Sequence, residues 1–328
     1  MSLTVLASSL TNADPIVLAF DAKTKLGQPL ILGIVQGAIY GLIALGLVLL
    51  YKSNRIFNFA QAEFGTIAGL CALLGLQGRL FGISWHMPYV VAILVGVLIG
   101  TLSAVATERL VIRPLFNRPK VILVVGTVGV LLTMIAVESL VFPQGDTLPT
   151  FNDPKLGAIK GLKDPAFQVG FAGYRMQWYQ ILTLIVLVAL ALGAVAFFRY
   201  SRQGTAILAV SQEPTAAATV GISVSRVSLL TWTLAGFLGS VAGVLALQGL
   251  LVGPGIVTGT ALVGGITAGV LGGITSLPGA FVGGMLVGLA QTYSAAFFHF
   301  PGAQAVIVGS LLLLVLLVKP TGLLGDQA

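Results

Sequence analysis

RYSRQGTAILAVSQEPTAAATVGISVSR, residues 199–226, is the stretch on which the reading of the fold turns. It is the longest polar interruption that carries mostly basic charge, and strongly apolar segments flank it on both sides. Within it, Pro214–Val220 reads as a two-turn helix stopped by Gly221. Proline suits the first helical position and glycine the position just past the end. Ala216, Ala217 and Ala218 are the best helix formers. Such a helix is roughly 10 Å long at about 1.5 Å per residue. A helix that short does not hold together alone in water. It needs a surface to lie on, and its small side chains let a partner come close.

Working outward, composition says what the flanking segments are. Mean hydropathy is +1.03, and only 8% of residues are charged. A soluble domain carries about 25% charged residues, so this chain cannot cover itself with water-facing side chains. It reads as an all-α polytopic membrane protein. Glycine is 42 of 328 residues, well above the usual share of about 7%, which suits membrane helices packed backbone to backbone. The net charge of +7 sits in short loops rather than on a nucleic-acid-binding face. Cys71 is the only cysteine, which excludes a disulfide framework and a thiol metal site. MSLTVLASSL lacks the basic start of a cleaved signal peptide.

Residues 1–29 are mixed polar, an external N-terminal segment. Apolar runs of spanning length follow at 30–50, 59–78, 88–107, 121–142, 179–198, 227–247, 258–275, 280–297 and 303–318, giving nine expected spans. The joints Gly253–Gly255 and Pro278–Gly279 allow broken or re-entrant helices in the last four, tolerated where they are buried in protein. Alternate loops then fall on two sides. One side holds ten basic residues: Lys52, Arg55, Arg109, Arg113, Arg118, Lys120, Arg199, Arg202, Arg226 and Lys319. The other holds seven, and four of these lie in the single long loop 143–178. The positive-inside rule puts 199–226 in the cytoplasm, the N-terminus outside and the C-terminus inside.

Loop 143–178 is too long for a plain connection. It reads either as a packed external cap or as a docking surface for an external partner. In 227–297, Gly236/Ser240 and Gly239/Gly243 have the four-residue spacing that brings helix backbones together. The same stretch also allows a broken-helix pathway, in which free backbone groups at helix ends hold a polar solute. Aligning 30–69 with 227–265 shows only shared glycine and leucine richness, too little to establish a repeat.

Few polar residues lie at depth. Glu63 falls about one turn into the second expected span, with Asn58 and Gln61 just before it. An acid inside the bilayer is costly and suggests function. It reads either as a snorkelling or helix-capping acid or as part of a polar rim on a solute path. Glu138 reads as interfacial, given the Pro143 stop that follows. His86 and His299 are far apart, so no metal site is expected. No phosphate-cradling GxxxxGK[ST] run occurs, and no nucleophile–base or paired-carboxylate arrangement suggests catalysis.

Several motifs, in order, carry a resemblance to a known family. GAIYGLIALGLVLLYKSNRIFNFAQAEF resembles the first hairpin of the H-type permease of branched-chain amino acid ABC importers, in which Asn-Phe-Ala-His-Gly is usual. Here it reads Asn58-Phe59-Ala60-Gln61-Ala62. ERLVIRPLFNRPKVILVVGTVGVLL, with Arg113-Pro114-Leu115 and Thr127-Val128-Gly129, resembles the next cytoplasmic loop and span. RQGTAILAVSQEPTAAATVGIS resembles the coupling loop, matching at Glu213, Ala216, Ala217, Gly221 and Ile222, with Val220 in the place of Leu. LGGITSLPGAFVGGMLVGL and KPTGLLG match the closing segments. The resemblance covers most of residues 30–325, the expected permease domain, and leaves out 1–29 and much of 143–178.

The resemblance implies a multi-pass permease of the bacterial cytoplasmic (inner) membrane, not an enzyme. It would move branched-chain or other small amino acids inward by alternating access. The implied partners are a second permease subunit, two cytoplasmic ATPase subunits that use ATP and Mg, and an external substrate-binding protein. No cofactor is expected on this chain. Glu213, Pro214, Thr215, Ala216, Ala217 and Gly221 would couple to the ATPases, with the 214–220 helix moving as a lever. Asn58, Gln61, Glu63 and Thr127 would line the substrate path, with Glu63 as acceptor for a zwitterion's ammonium. Three alternatives stay open: a carrier or channel driven by an ion gradient through Glu63 and Glu138, an ABC permease for urea or short amides, and an intramembrane enzyme.

Overall fold

The computed structural model describes residues 15–82, 86–141, 165–169, 174–247, 253–298, 300, 302–319 and 321–325. The described chain is a helical bundle with one small hairpin. The helices are α1 Pro15–Asn54, α2 Glu63–Leu76, α3 Tyr89–Thr107, α4 Lys120–Val141, α5 Trp178–Tyr200, α6 Arg202–Gln212, α7 Pro214–Thr219, α8 Val224–Leu247, α9 Val263–Gly272, α10 Leu277–Phe297 and α11 Ala303–Val318. Strands β1 Pro165–Val169 and β2 Tyr174–Gln177 pair antiparallel, and β2 lies against α1 with Met176 buried. The rest of loop 143–177 lies outside the described residues, as do residues 1–14 and His299.

Six helical segments are long and apolar enough to cross a membrane: Leu26–Asn54, Tyr89–Leu115, Lys120–Val141, Gln180–Tyr200, Val224–Leu247 and Leu277–Phe297. The other three expected spans are occupied by shorter apolar helices, α2, α9 and α11. The difference is sharpest at 59–78. The helix there begins only at Glu63 and runs 14 residues, about 21 Å at 1.5 Å per residue, against a hydrocarbon core of about 30 Å. A second difference lies at the start of the chain. Part of the expected external segment 1–29 is helical, because α1 starts at Pro15 and continues through Pro29. Proline within a helix removes a backbone hydrogen bond. Near this break α10 donates Thr292 Oγ1 to the Pro29 carbonyl at 2.8 Å and Tyr293 Oη to the Leu26 carbonyl at 3.0 Å.

The core is built on α1 and α8. Helix α1 packs on α10, α8 and α9, while α8 also packs on α2 and α3. The small-residue spacing read in 227–247 is used as expected. A Cβ added to Gly243 of α8 would stand 2.2 Å from the Cα of Gly65 in α2, so the two backbones touch. Helices α3, α4 and α5 instead present apolar residues such as Leu98, Leu132 and Leu192 outward, as faces toward lipid require. Both halves of the chain use one order of elements. A long buried helix (α1 or α8) is followed by a non-helical approach (55–62 or 253–255) and then a short helix that starts within the bundle. In the second half the short helix α9 is preceded by a π turn, Thr258–Leu262.

Candidate functional site

The non-helical segment 55–62 exists because its polar side chains compete with the helix. Arg55, at positive φ (55°), ends α1. Asn58 Oδ1 then accepts from the Ala60 N–H at 3.0 Å, an Asx turn that offers the backbone an alternative partner. Asn58 Nδ2 donates to Gln61 Oε1 at 3.4 Å, and Gln61 Nε2 donates to the Ala235 carbonyl of α8 at 2.8 Å. The Gln61 amide fits only because two glycines flank it. A Cβ on Gly46 of α1 would come within 2.2 Å of Gln61 Nε2, and one on Gly239 of α8 within 3.0 Å. Thr127 of α4 accepts from the Phe59 N–H at 3.3 Å and donates to the Val124 carbonyl at 2.8 Å. Three of the expected path residues are thus brought together, Asn58 and Gln61 on this segment and Thr127 against it from α4, all buried and hydrogen-bonded.

Glu63 stands at the next step inward. It is the first residue of α2 rather than one turn into a span. A carboxylate is favoured at the positive end of a helix. The side chain is fully buried and accepts from Thr258 Oγ1, where the π turn before α9 begins. It therefore does not reach the interface, and the snorkelling reading gives way to the buried one. Glu138 differs from expectation in the same way. It is buried and accepts from the Gly255 N–H at 3.0 Å, in the break before the π turn. The two acids thus accept from donors three residues apart on one segment, Gly255 and Thr258. Both acids are visible in the sequence, but their common partner segment, 255–258, is not. The signal was the GPG joint at 253–255, whose free backbone groups need side-chain partners.

Residues 199–226 fold as two helices, not one. The missed element, α6, is amphipathic: Ser201 Oγ caps it by accepting from the Gly204 N–H at 2.8 Å, and Ile207 and Val210 turn inward. The expected helix follows as α7, Pro214–Thr219, with Val220 at its C-cap. Glu213 caps its start, taking Thr215 Oγ1 at 2.9 Å and the Thr215 N–H at 3.4 Å. Gly221, at φ +88°, supplies the left-handed turn after it. Ala217 is buried with Ile207, Val210 and Val227, whereas Pro214, Thr215, Ala216, Ala218 and Gly221 are exposed. Of the expected coupling residues, Ala217 is therefore the anchor and the others form the outer face. Val220, 76% exposed, adds an apolar tip to that face.

Two arginines tie this unit to the bundle. Arg55 Nη2, just after α1, donates to the Ser211 carbonyl of α6 at 3.1 Å. Arg113 Nη2 reaches the Ser225 carbonyl at 3.4 Å and pairs with the fully buried Glu108 at 3.2 Å. Glu108 opens a π turn, 108–112, that carries α3 into this corner. Among the described residues no group of three or more His, Cys, Asp or Glu could hold a metal ion. His86 is exposed.

A bundle of apolar spans with a small exposed helix pinned at one corner is the form of a multi-pass membrane protein. The comparisons agree. The family model described as "Branched-chain amino acid transport system / permease component" matches residues 30–317, and the chain belongs to that family. It is 30% identical over 304 residues to the high-affinity branched-chain amino acid transport system permease protein LivH of Escherichia coli K12, covering 91% of this chain and 95% of the relative. It is 30% identical over 313 residues to BraD of Pseudomonas aeruginosa, with the same coverage of each. A probable LivH of Methanocaldococcus jannaschii is 28% identical over 319 residues, 92% of this chain and 93% of the relative. No solved structure matches. The chain is a multi-pass inner-membrane permease component, not an enzyme.

Proposed function

We propose that this chain is the permease subunit of an ATP-driven importer that moves branched-chain or other small amino acids inward by alternating access. The names of its relatives, similar along nearly their whole length, support the substrate class. The observation that carries the mechanism is α7. It is a six-residue helix whose buried Ala217 fastens it to the bundle while Ala216, Ala218 and Val220 face outward with none of the described residues over them. The ATPase subunits, which hydrolyse ATP and hold its Mg, dock on that face, with Glu213, Pro214, Thr215, Ala216 and Gly221 at the contact.

Nucleotide binding closes the ATPase pair and moves α6–α7 as a lever. The motion passes to α5 and α8, to α1 through Arg55, and to α3 through Arg113. Only a ligand that binds the two states differently shifts their balance, and ATP is that ligand here. The path runs past Asn58, Gln61, Thr127 and Glu63, with Glu63 taking the substrate's ammonium. Nine helices cross or enter the membrane, the N-terminus lies outside and the C-terminus in the cytoplasm. A second permease of similar fold completes the pore, and an external binding protein delivers the amino acid.

The test is reconstitution of the chain with its ATPase, second permease and binding protein in vesicles. ATPase activity should rise with binding protein loaded with leucine, isoleucine or valine, and uptake should need ATP. Ion-driven uptake by this chain alone would refute the assignment. Stimulation by urea or short amides in place of amino acids would refute the substrate class. Exchanging the binding protein shows where selectivity lies, since an unchanged uptake profile would place it in the pore.

A further inference from the structure

Helix α5 is the least buried of the six long apolar helices. Where it passes α1 and α10 it leaves a groove of about 270 Å³, lined by Leu45 of α1, Val188, Leu192 and Val195 of α5, and Leu277 and Phe281 of α10 among others, every one of them apolar. An apolar cavity of about 150 Å³ holds a benzene molecule, so this one takes roughly ten carbons of hydrocarbon. Val188, Leu192 and Val195 are exposed, so the groove opens toward lipid. It also lies nearer one membrane surface than the middle, because the start of α10 meets the second half of α5 there. Arg199 and Tyr200 end α5 on that side, and Tyr200 is exposed. Basic and aromatic side chains at a span's end mark the headgroup level.

Arg199 falls on the face that carries the groove. Val188, Leu192, Val195 and Arg199 are four, three and four residues apart, the spacing of a single helical stripe. Arg199 is about 6 Å beyond Val195 along the axis, at about 1.5 Å per residue. It is exposed, and its guanidinium stands 5.5 Å from the Tyr200 ring. No carboxylate or hydrogen-bond acceptor of the described residues meets it.

We infer that this groove binds one anionic phospholipid, with an acyl chain between α1, α5 and α10 and the headgroup phosphate on Arg199. A helix of a second permease is a poorer occupant. It is about 10–12 Å across with its side chains, so it would lie over the groove rather than in it, and its apolar surface offers Arg199 no anion. A lipid brings hydrocarbon and anion in one molecule. Because α5 runs directly into α6 and α7, the lipid sits at the root of that unit. The inference needs only the membrane placement of α5, not transport.

Native mass spectrometry of the full chain tests this. The chain is released from nanodiscs of equal parts dioleoyl-phosphatidylglycerol and dioleoyl-phosphatidylcholine, without ATP, substrate or partner. A negative result therefore leaves the transport assignment standing. The wild type should keep one phosphatidylglycerol. Arg199→Gln should lose about fivefold of the preference for phosphatidylglycerol over phosphatidylcholine, the worth of one basic side chain near an anionic surface. Ala191→Trp, which fills the groove from α5, should release both lipids with helix content by circular dichroism unchanged. Leu132→Trp and Arg118→Gln, both exposed and outside the groove, should keep the lipid and its preference. A wild type that keeps no lipid or keeps both headgroups equally overturns the inference. So do groove variants that bind as the wild type does, or an Arg118→Gln that loses as much preference as Arg199→Gln. Loss of the lipid from the wild type once the second permease is bound also overturns it, since the groove would then be a protein interface.

Discussion

Adding one methyl group at Gly243 should pull apart the centre of the molecule. The Cβ of Gly243→Ala would stand 2.2 Å from Gly65 Cα and 2.3 Å from that residue's carbonyl carbon and oxygen. Carbon atoms in contact settle about 3.5–4.0 Å apart, so the deficit is roughly 1.5 Å. The obstacle is backbone, and no rotamer change relieves it. Helices α2 and α8 must separate or slide. Glu63 lies two residues from Gly65, and Gln61 bonds the Ala235 carbonyl of α8 at 2.8 Å. A separation of that size takes the Gln61 bond past hydrogen-bonding distance. Overpacking costs about 1–3 kcal/mol and each buried hydrogen bond lost adds about 1 kcal/mol. The expected total is about 3 kcal/mol, a factor of more than 100 in a local equilibrium. Cys71, the only thiol, sits on α2 and reports the change. In nanodiscs its labelling by a maleimide should quicken by about two orders of magnitude, and the thermal midpoint should fall. Gly309→Ala in α11 is the control, since nothing lies within 4 Å of the added Cβ. It should be neutral or slightly stabilising, by up to about 1 kcal/mol. Equal labelling rates and midpoints for Gly243→Ala and the wild type would refute the claim that backbone contact here sets the hub.

Other outcomes follow from the same geometry. Ala218→Arg, on the outer face of α7, should lower ATP-driven uptake and stimulated ATPase activity by about tenfold, within the usual range of coupling energies, with the thermal midpoint unchanged. Ala217→Arg should instead lower the midpoint, because it forces a charge under Ile207, Val210 and Val227. Glu213→Ala removes the cap of α7, at about 1 kcal/mol, and should show as faster hydrogen exchange at the amides of Ala217–Thr219. Arg113→Ala strands the fully buried Glu108. It should cost on the order of 2 kcal/mol, less than breaking a wholly buried pair because Arg113 is partly in water; Glu108→Gln should cost less in the same melting assay. Gln61→Leu loses the donor to the Ala235 carbonyl and should cost about 1–3 kcal/mol, again with faster Cys71 labelling.

Much of this protein was legible from residue order because membrane helices announce themselves through local composition. The apolar runs from 88–107 to 227–247 became helices close to their expected ends, since a span is one continuous stretch with its backbone bonds made internally. The helix at Pro214 was legible for the same reason: its proline, alanines and Gly221 act on their own backbone. Helix α6 is not legible because its apolar run, Ala206–Val210, is short and lies within a polar stretch, and what steadies it is the packing of Ile207 and Val210 against residues of α5, α7 and α8. The short run 59–78 was read as a full span because hydropathy does not register the Asx turn at Asn58 or the tether to Thr127.

The sequence by itself determined that the chain lives in a membrane, where its six long apolar helices fall, and that an alanine-rich helix interrupts them; each of these is written in neighbouring residues. Only the tertiary structure decided that Ala217 faces inward while Ala218 faces out, that Gln61 rests in a notch between Gly46 and Gly239, and that Glu63 and Glu138 both end on the segment Gly255–Thr258. Those are contacts between helices far apart in the chain. No local pattern encodes them, because they depend on how closely the glycine faces let the backbones approach.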